Sequence, residues 1–193
     1  MRPVVLALSL PAMFIAMGMT ALLMPNCVSA SLAASYLVLT PVVYYARPFA
    51  FRLKYFALSL SMFLGLWGVE LLAQPLVRQY DALLQAFIQA LSTCPHWKIY
   101  LFASAVMLAP LVEETIFRVM LYTELEKRAG PLVGYIGNSL IFAAVHGAAS
   151  LLPLYFAYGL VLTYAFKKGG VASSMALHGL NNFVALLPIL LRG

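Results

Sequence analysis

Long apolar segments separated by short polar ones run along the whole chain. A helix that crosses a bilayer needs about 20 predominantly apolar residues, and each long segment approaches or exceeds that length. The segments cover residues 4–24, 31–46, 55–73, 98–123, 131–147, 151–166 and 171–191. They predict an all-α fold, a polytopic transmembrane helix bundle of about seven spans.

One further segment, between the third and the fourth of these, is amphipathic. Over residues 75–91 the apolar side chains recur every three or four residues, which is the helical period. We expect an interfacial helix that covers the outer ends of the spans, as a scaffold element or as a docking element for a substrate. Its polar face carries Arg78, Gln79, Asp81, Gln85 and Gln89.

The composition agrees with a membrane protein. The chain is 64% hydrophobic and 9% charged, whereas about a quarter of the residues in a globular domain are charged. A length of 193 residues leaves no room for a separate soluble domain, so residues 1–193 are predicted to form a single integral membrane domain.

The basic residues indicate topology. They occur in small clusters at every second loop, so the net charge of +6 does not form the single patch that nucleic-acid binding requires. Basic loops face the cytoplasm, which predicts a cytoplasmic N-terminus in a prokaryotic inner membrane. The clusters are Arg2, then Arg47 with Arg52 and Lys54, then Lys127 with Arg128, and finally Lys167 with Lys168.

Two features near the predicted outer surface have alternative interpretations. Val28-Ser-Ala30 resembles a signal-peptide cleavage site, but the apolar segment before it is longer than the usual core of about 7 to 15 residues, which favours a retained helix. Cys27 and Cys94 both lie in predicted outer loops, where an oxidising compartment permits a disulfide. The sequence leaves a bridge and two unpaired thiols open.

Two adjacent glutamates and an arginine interrupt the fourth apolar segment. Charge is costly in hydrocarbon, so Glu113, Glu114 and Arg118 indicate either a functional site or a cluster of salt bridges between helices. Glu114 and Arg118 are four residues apart on one helical face, where they can neutralise each other. Glu113 is turned about 100° from Glu114, which leaves its carboxylate for chemistry.

Two histidines in later apolar segments supply the remaining polar groups. Asn182 shares a helical face with His178, and Phe142 shares one with His146 and can form a wall of the site. A carboxylate, an imidazole and two hydrogen-bond donors in a partly dry cavity suit hydrolysis of a peptide bond by water. Glu113 would be the general base, an imidazole would orient the water, and His178 with Asn182 would bind the oxyanion.

Three motifs carry a resemblance to a known family. They resemble the motifs of the CAAX protease and bacteriocin-processing family, also called CPBP or Abi, over residues 109–183. The family's members are multi-pass helical membrane proteins, and the characterised ones are glutamate-dependent intramembrane endopeptidases that cut near the C-terminus of their substrates. The motifs read Glu113-Glu114-x-x-x-Arg118, Phe142-x-x-x-His146 and His178-x-x-x-Asn182.

The resemblance implies a role for each matching residue. Glu113 and His146 would activate the water, and His178 and Asn182 would stabilise the oxyanion. Glu114 and Arg118 would support the first motif. The catalytic core would comprise the helices of residues 98–191, with neither a metal nor another cofactor. The implied partners are the lipid bilayer and a protein or peptide substrate, with a lipid anchor or a C-terminal sorting tail as candidate features.

Three other functions use similar residues. A zinc-dependent intramembrane metalloprotease would use Glu113, His146 and His178 as ligands, although the sequence has no His-Glu-x-x-His motif. A transporter or proton relay also needs buried glutamate and histidine, but the chain shows no convincing internal repeat. A non-catalytic immunity protein would not need all three motifs intact.

Overall fold

The computed structural model describes residues 2–77, 81–146 and 151–191, and these residues form helices and no strand. Helix α1 is Arg2–Leu23, and α2 is Val28–Leu39 with a 3-10 continuation, Thr40–Ala46. Helix α3 is Leu53–Val77 and α4 is Asp81–Leu91. The all-α prediction is confirmed.

The second half of the chain holds the longest helical stretch. Trp97–Val145 is 49 residues long and is interrupted at Gly130, whose φ of 86° is left-handed, immediately before Pro131. We call the two parts α5 (97–129) and α6 (131–145). Helix α7 is Leu152–Tyr164 with a π-helical end, Ala165–Gly169, and α8 is Val171–Leu191.

The lengths of the helices bear on the number of spans. Four helical stretches of the described residues are long and apolar enough to cross a membrane. Since one of them contains both α5 and α6, it accommodates two predicted spans. A membrane helix bundle is therefore confirmed, and the number seven stays a prediction. The four stretches are Val28–Ala46, Leu53–Leu72, Trp97–Val145 and Val171–Leu191.

The predicted amphipathic segment, residues 75–91, falls on two described helices. Its first residues belong to α3, which reaches Val77, and its later residues form α4, Asp81–Leu91. Arg78 and Gln79 lie outside the described residues. Leu91, at the end of α4, is fully buried against Leu101, so this end of α4 packs onto the start of α5.

Helix α5 is the central element of the bundle. It packs against α1, α2, α6 and α8, while α3 packs against α7 and α8. An aromatic core that includes Phe63, Phe117, Phe142 and Tyr158 joins α3, α5, α6 and α7. Most of the predicted site residues lie on α5, α6 and α8, so this packing brings the three motifs together.

A disulfide joins Cys27 to Cys94. It ties the start of α2 to the connection between α4 and α5, 67 residues further along the chain. Of the two alternatives that the sequence left open, the structure therefore has the bridge. The bridge holds α2 beside α5, which matters because α2 contributes a side chain to the site.

The basic clusters that contain Arg52, Lys127 and Lys167 meet at one end of the bundle. Arg52, before α3, donates from Nη1 to the carbonyl of Lys168 at 3.3 Å. The Lys167 ammonium lies 2.5 Å from the carboxylate of Glu126, a hydrogen bond that raises the pKa of Lys167. The ends of α5 and α7 and the start of α3 therefore share the basic side of the protein.

Candidate active site

Helix α5 departs from regular α-helical geometry where it faces α8. Ala103–Leu108 form a π-helical turn, and Pro110 has no N–H to offer to the carbonyl of Val106 one turn back. Gly179 of α8 lies against that carbonyl, because a Cβ added to it would be only 2.9 Å from the Val106 oxygen. The absence of a side chain thus lets α8 approach α5 closely, with His178 at the contact.

Glu114 is completely buried between a cation and an imidazole. Its Oε2 lies 3.2 Å from Nε of Arg118, which is the expected ion pair, and both side chains are fully buried. Its Oε1 lies 2.9 Å from Nδ1 of His178. A carboxylate only accepts hydrogen bonds, so Nδ1 of His178 is the donor. Glu114 therefore fixes the orientation of His178 as well as the charge of Arg118.

The surroundings of Arg118 explain how the charge is tolerated. Its guanidinium carbon lies 4.6 Å from the ring centroid of Phe142, within cation–π range. With its amide oxygen toward the guanidinium, Asn138 accepts from Nη1 at 3.1 Å and its nitrogen donates to the Phe117 carbonyl. The predicted wall residue Phe142 thus also covers the ion pair.

Glu113 has weaker restraints and a different partner. Its Oε1 accepts a hydrogen bond from the hydroxyl of Tyr36 on α2. Its Oε2 accepts no direct hydrogen bond from a described residue, and lies 4.0 Å from Nε2 of His146 and 4.0 Å from Nε2 of His178. One carboxylate oxygen is therefore held by a tyrosine while the other faces two imidazoles.

His146 lies at the C-terminal end of α6, with its ring between two aromatic rings. Its Nδ1 is 2.7 Å from the carbonyl of Phe142, and a carbonyl only accepts, so Nδ1 is again the donor. Its ring centroid is 4.4 Å from that of Phe142 and 4.6 Å from that of Tyr155. In both histidines the Nε2 atom is consequently the one that faces Glu113.

Asn182, the last of the predicted site residues, makes its described hydrogen bond to the backbone. Its Nδ2 donates to the carbonyl of Ala105 in the π-helical turn at 2.8 Å. An amide nitrogen carries two N–H groups, so one N–H is left for a ligand. The neighbouring Asn181 accepts a hydrogen bond at Oδ1 from Nε1 of Trp67 on α3, at 2.8 Å.

These side chains line a cavity of about 320 Å³. It has room for a short segment of substrate chain and for water, and polar residues of five helices line it. Tyr36 and Asn181 line it, although sequence reasoning missed both. Their contacts join residues 77 and 114 positions apart, and no local spacing marks such pairs. The polar lining includes Tyr36, Glu113, His146, His178, Asn181 and Asn182.

Metal binding was one of the alternatives from the sequence. Within residues 2–77, 81–146 and 151–191, no group of three or more histidine, cysteine, aspartate or glutamate side chains is placed to hold a metal ion.

The fold and the cluster together define a class: an integral membrane protein whose helices enclose a site of carboxylates and imidazoles. Residues 95–184 match the family model described as Type II CAAX prenyl endopeptidase Rce1-like. The match covers all three motifs and confirms their resemblance to the CAAX protease family. No curated protein and no solved structure matched in the corresponding comparisons.

Proposed function

We propose that this protein is a glutamate-type intramembrane endopeptidase that hydrolyses a peptide bond with an activated water. The observation that carries the proposal is the position of Glu113 Oε2, 4.0 Å from Nε2 of both His146 and His178. Two polar atoms at this separation can share one water at ordinary hydrogen-bond lengths of about 2.8 Å.

Glu113 acts as the general base in this mechanism. It takes a proton from the water while the water oxygen forms a bond to the substrate carbonyl carbon. Nε2 of His146 accepts a hydrogen bond from the other O–H of the water and so fixes the direction of attack. The C–N bond then breaks, and the proton held by Glu113 moves to the leaving amine. Tyr36 keeps the carboxylate in position throughout.

The oxyanion receives hydrogen bonds from Asn182 and His178. Asn182 offers the N–H that Ala105 does not use. His178 donates from Nε2 only as an imidazolium, because Nδ1 already donates to Glu114. The fully buried Glu114 carboxylate is well placed to stabilise that cation. This gives Glu114 a second task besides its pairing with Arg118.

The substrate is a membrane-associated or exported protein, cut near its C-terminus. A lipid anchor or a C-terminal sorting tail would hold such a protein at the bilayer beside the cavity. The family supports a peptide substrate in the membrane, and the basic loops support a cytoplasmic N-terminus in a prokaryotic inner membrane. The helices of residues 98–191 form the catalytic core.

Comparison of protein C-termini in membranes tests the proposal directly. Cells that express the wild type should contain C-termini that are missing from cells with Glu113→Gln, while both proteins insert equally. The same set of C-termini in both would reject the function. With the purified wild type, cleavage should survive a chelator, whereas loss of activity together with stoichiometric zinc would favour the metalloprotease.

A further inference from the structure

A third glutamate lies in an apolar helix, away from the motifs. Glu70 is on α3, within the Leu53–Leu72 stretch that is apolar enough to span the membrane. Such an acid needs a partner or a function. Tyr158 donates its hydroxyl hydrogen bond to Oε2 at 2.7 Å. Among the described residues, no arginine, lysine or histidine forms an ion pair with Glu70.

Glu70 lines a second cavity, of about 450 Å³, which adjoins the first. Tyr155, Tyr158, Asn181 and Asn182 line both cavities. A substrate segment that passes these four side chains therefore reaches from Glu113 to Glu70. The exposed carboxylate of Glu70 is the only acid among the described residues that line the second cavity.

The distribution of charge favours a cation beside Glu70. Glu70 lies seventeen residues after Leu53, about 26 Å along α3 from the end at which the basic clusters meet. The second cavity is lined by the start of α7 and the last turns of α8, which are also at the far end. A basic substrate group is therefore attracted by the carboxylate of Glu70, which is remote from the basic clusters at the other end of the bundle.

We propose that Glu70 forms a charge-selective subsite, which binds a lysine or arginine side chain of the substrate while the scissile bond lies at Glu113. The subsite rests on the proposed protease function for its role in cleavage. Its binding chemistry is independent of that function. The carboxylate supplies the charge, and the hydroxyl of Tyr158 holds the carboxylate toward the cavity.

Binding is measured first, without cleavage. The protein carries Glu113→Gln and Trp97→Phe, so that Trp67, which lines the second cavity beside Glu70, is the only tryptophan. The probes are synthetic peptides rich in alanine and leucine with one lysine, moved stepwise along the peptide, and matched peptides with acetyl-lysine. Trp67 fluorescence reports binding in detergent micelles.

At one lysine position the charged peptide should bind about tenfold more tightly than the acetylated peptide. Glu70→Gln, which keeps an acceptor for Tyr158, should abolish that preference. The matched control is Glu124→Gln, which removes the same charge at the basic end of the bundle and should leave the preference intact. Equal binding of both peptides, or a preference that survives Glu70→Gln, would overturn the subsite.

Cleavage of the same peptides by a Trp97→Phe protein with Glu113 intact separates the two proposals. Cleavage that favours the lysine peptide, with the preference lost in Glu70→Gln, supports both. Cleavage without charge preference keeps the protease and rejects the subsite. A charge preference in binding, with no cleavage of any peptide by this protein, keeps the subsite and counts against the protease.

Discussion

Glu113 and Glu114 are neighbours in the chain, yet they differ in their partners and in their access to a cavity. The Glu114 region is dry, with no exposed side-chain surface on Glu114 or Arg118, and each carboxylate oxygen has a charged or imidazole partner. The Glu113 region borders a cavity, and one oxygen is held only by Tyr36. The first region is built for stability, whereas the second leaves a basic atom available to a water and a substrate.

A second comparison isolates the effect of burial. Glu124 and Arg128 have the same spacing as Glu114 and Arg118, but the Arg128 side chain is 67% exposed. A surface pair of this kind contributes at most about 1 kcal/mol, whereas breaking a buried pair costs about 3–5 kcal/mol. The two Glu–Arg pairs on one helix therefore provide an internal control.

The largest expected effect is a loss of cleavage when a side chain that faces Glu113 is removed. His146→Ala removes the Nε2 atom that lies 4.0 Å from Glu113 and should lower the cleavage rate about 100-fold or more. His178→Ala should do the same by removing an oxyanion donor. The control is His96→Asn, an exposed histidine in a left-handed conformation that asparagine tolerates. Wild-type cleavage by His146→Ala would remove that residue from the mechanism.

On the Glu114 side the expected effect is on stability. Glu114→Ala leaves Arg118 buried without its partner and should lower the free energy of unfolding by about 3–5 kcal/mol. Chemical denaturation in detergent measures this. Glu124→Ala should change the same quantity by less than about 1 kcal/mol. Equal losses in the two variants would contradict the assignment of Glu114 to a buried structural pair.

Tyr36→Phe tests the restraint on Glu113. Loss of a hydrogen bond to a charged group costs about 1.5–3 kcal/mol, so kcat should fall about tenfold or more while KM changes little. Tyr44→Phe is the control, because Tyr44 is on the same helix but 68% exposed. An unchanged kcat, or a rise in KM alone, would show that Tyr36 does not position the base.

The smallest effect is expected at the contact of α5 with α8. Gly179→Ala places a Cβ against the Val106 carbonyl, and overpacking of this kind costs about 1–3 kcal/mol. It should lower the unfolding midpoint and also weaken cleavage by displacing His178. Gly68→Ala on α3, where a Cβ meets nothing within 4 Å, should have neither effect. If the two variants behave alike, the close approach of α8 is not required.

The sequence predicts the fold class well because lipid imposes the lengths of apolar helices. It also predicts the ion pair between Glu114 and Arg118, because four-residue spacing is a local property of the chain. Tyr36, Trp67 and Asn181 give no such signal, since their contacts join different helices far apart in the chain. The bond from Glu114 to His178 is likewise visible only after α8 has packed on α5.

The central claim is that Glu113 serves catalysis and that Glu114 serves mainly stability. One paired measurement tests it. Cleavage rate and free energy of unfolding are determined for Glu113→Gln and Glu114→Gln under the same conditions. We expect Glu113→Gln to lose cleavage with nearly unchanged stability. We expect Glu114→Gln to lose stability and to keep reduced but measurable cleavage, because His178 then lacks the carboxylate that stabilises its imidazolium. The opposite pattern, with cleavage retained by Glu113→Gln, would contradict it.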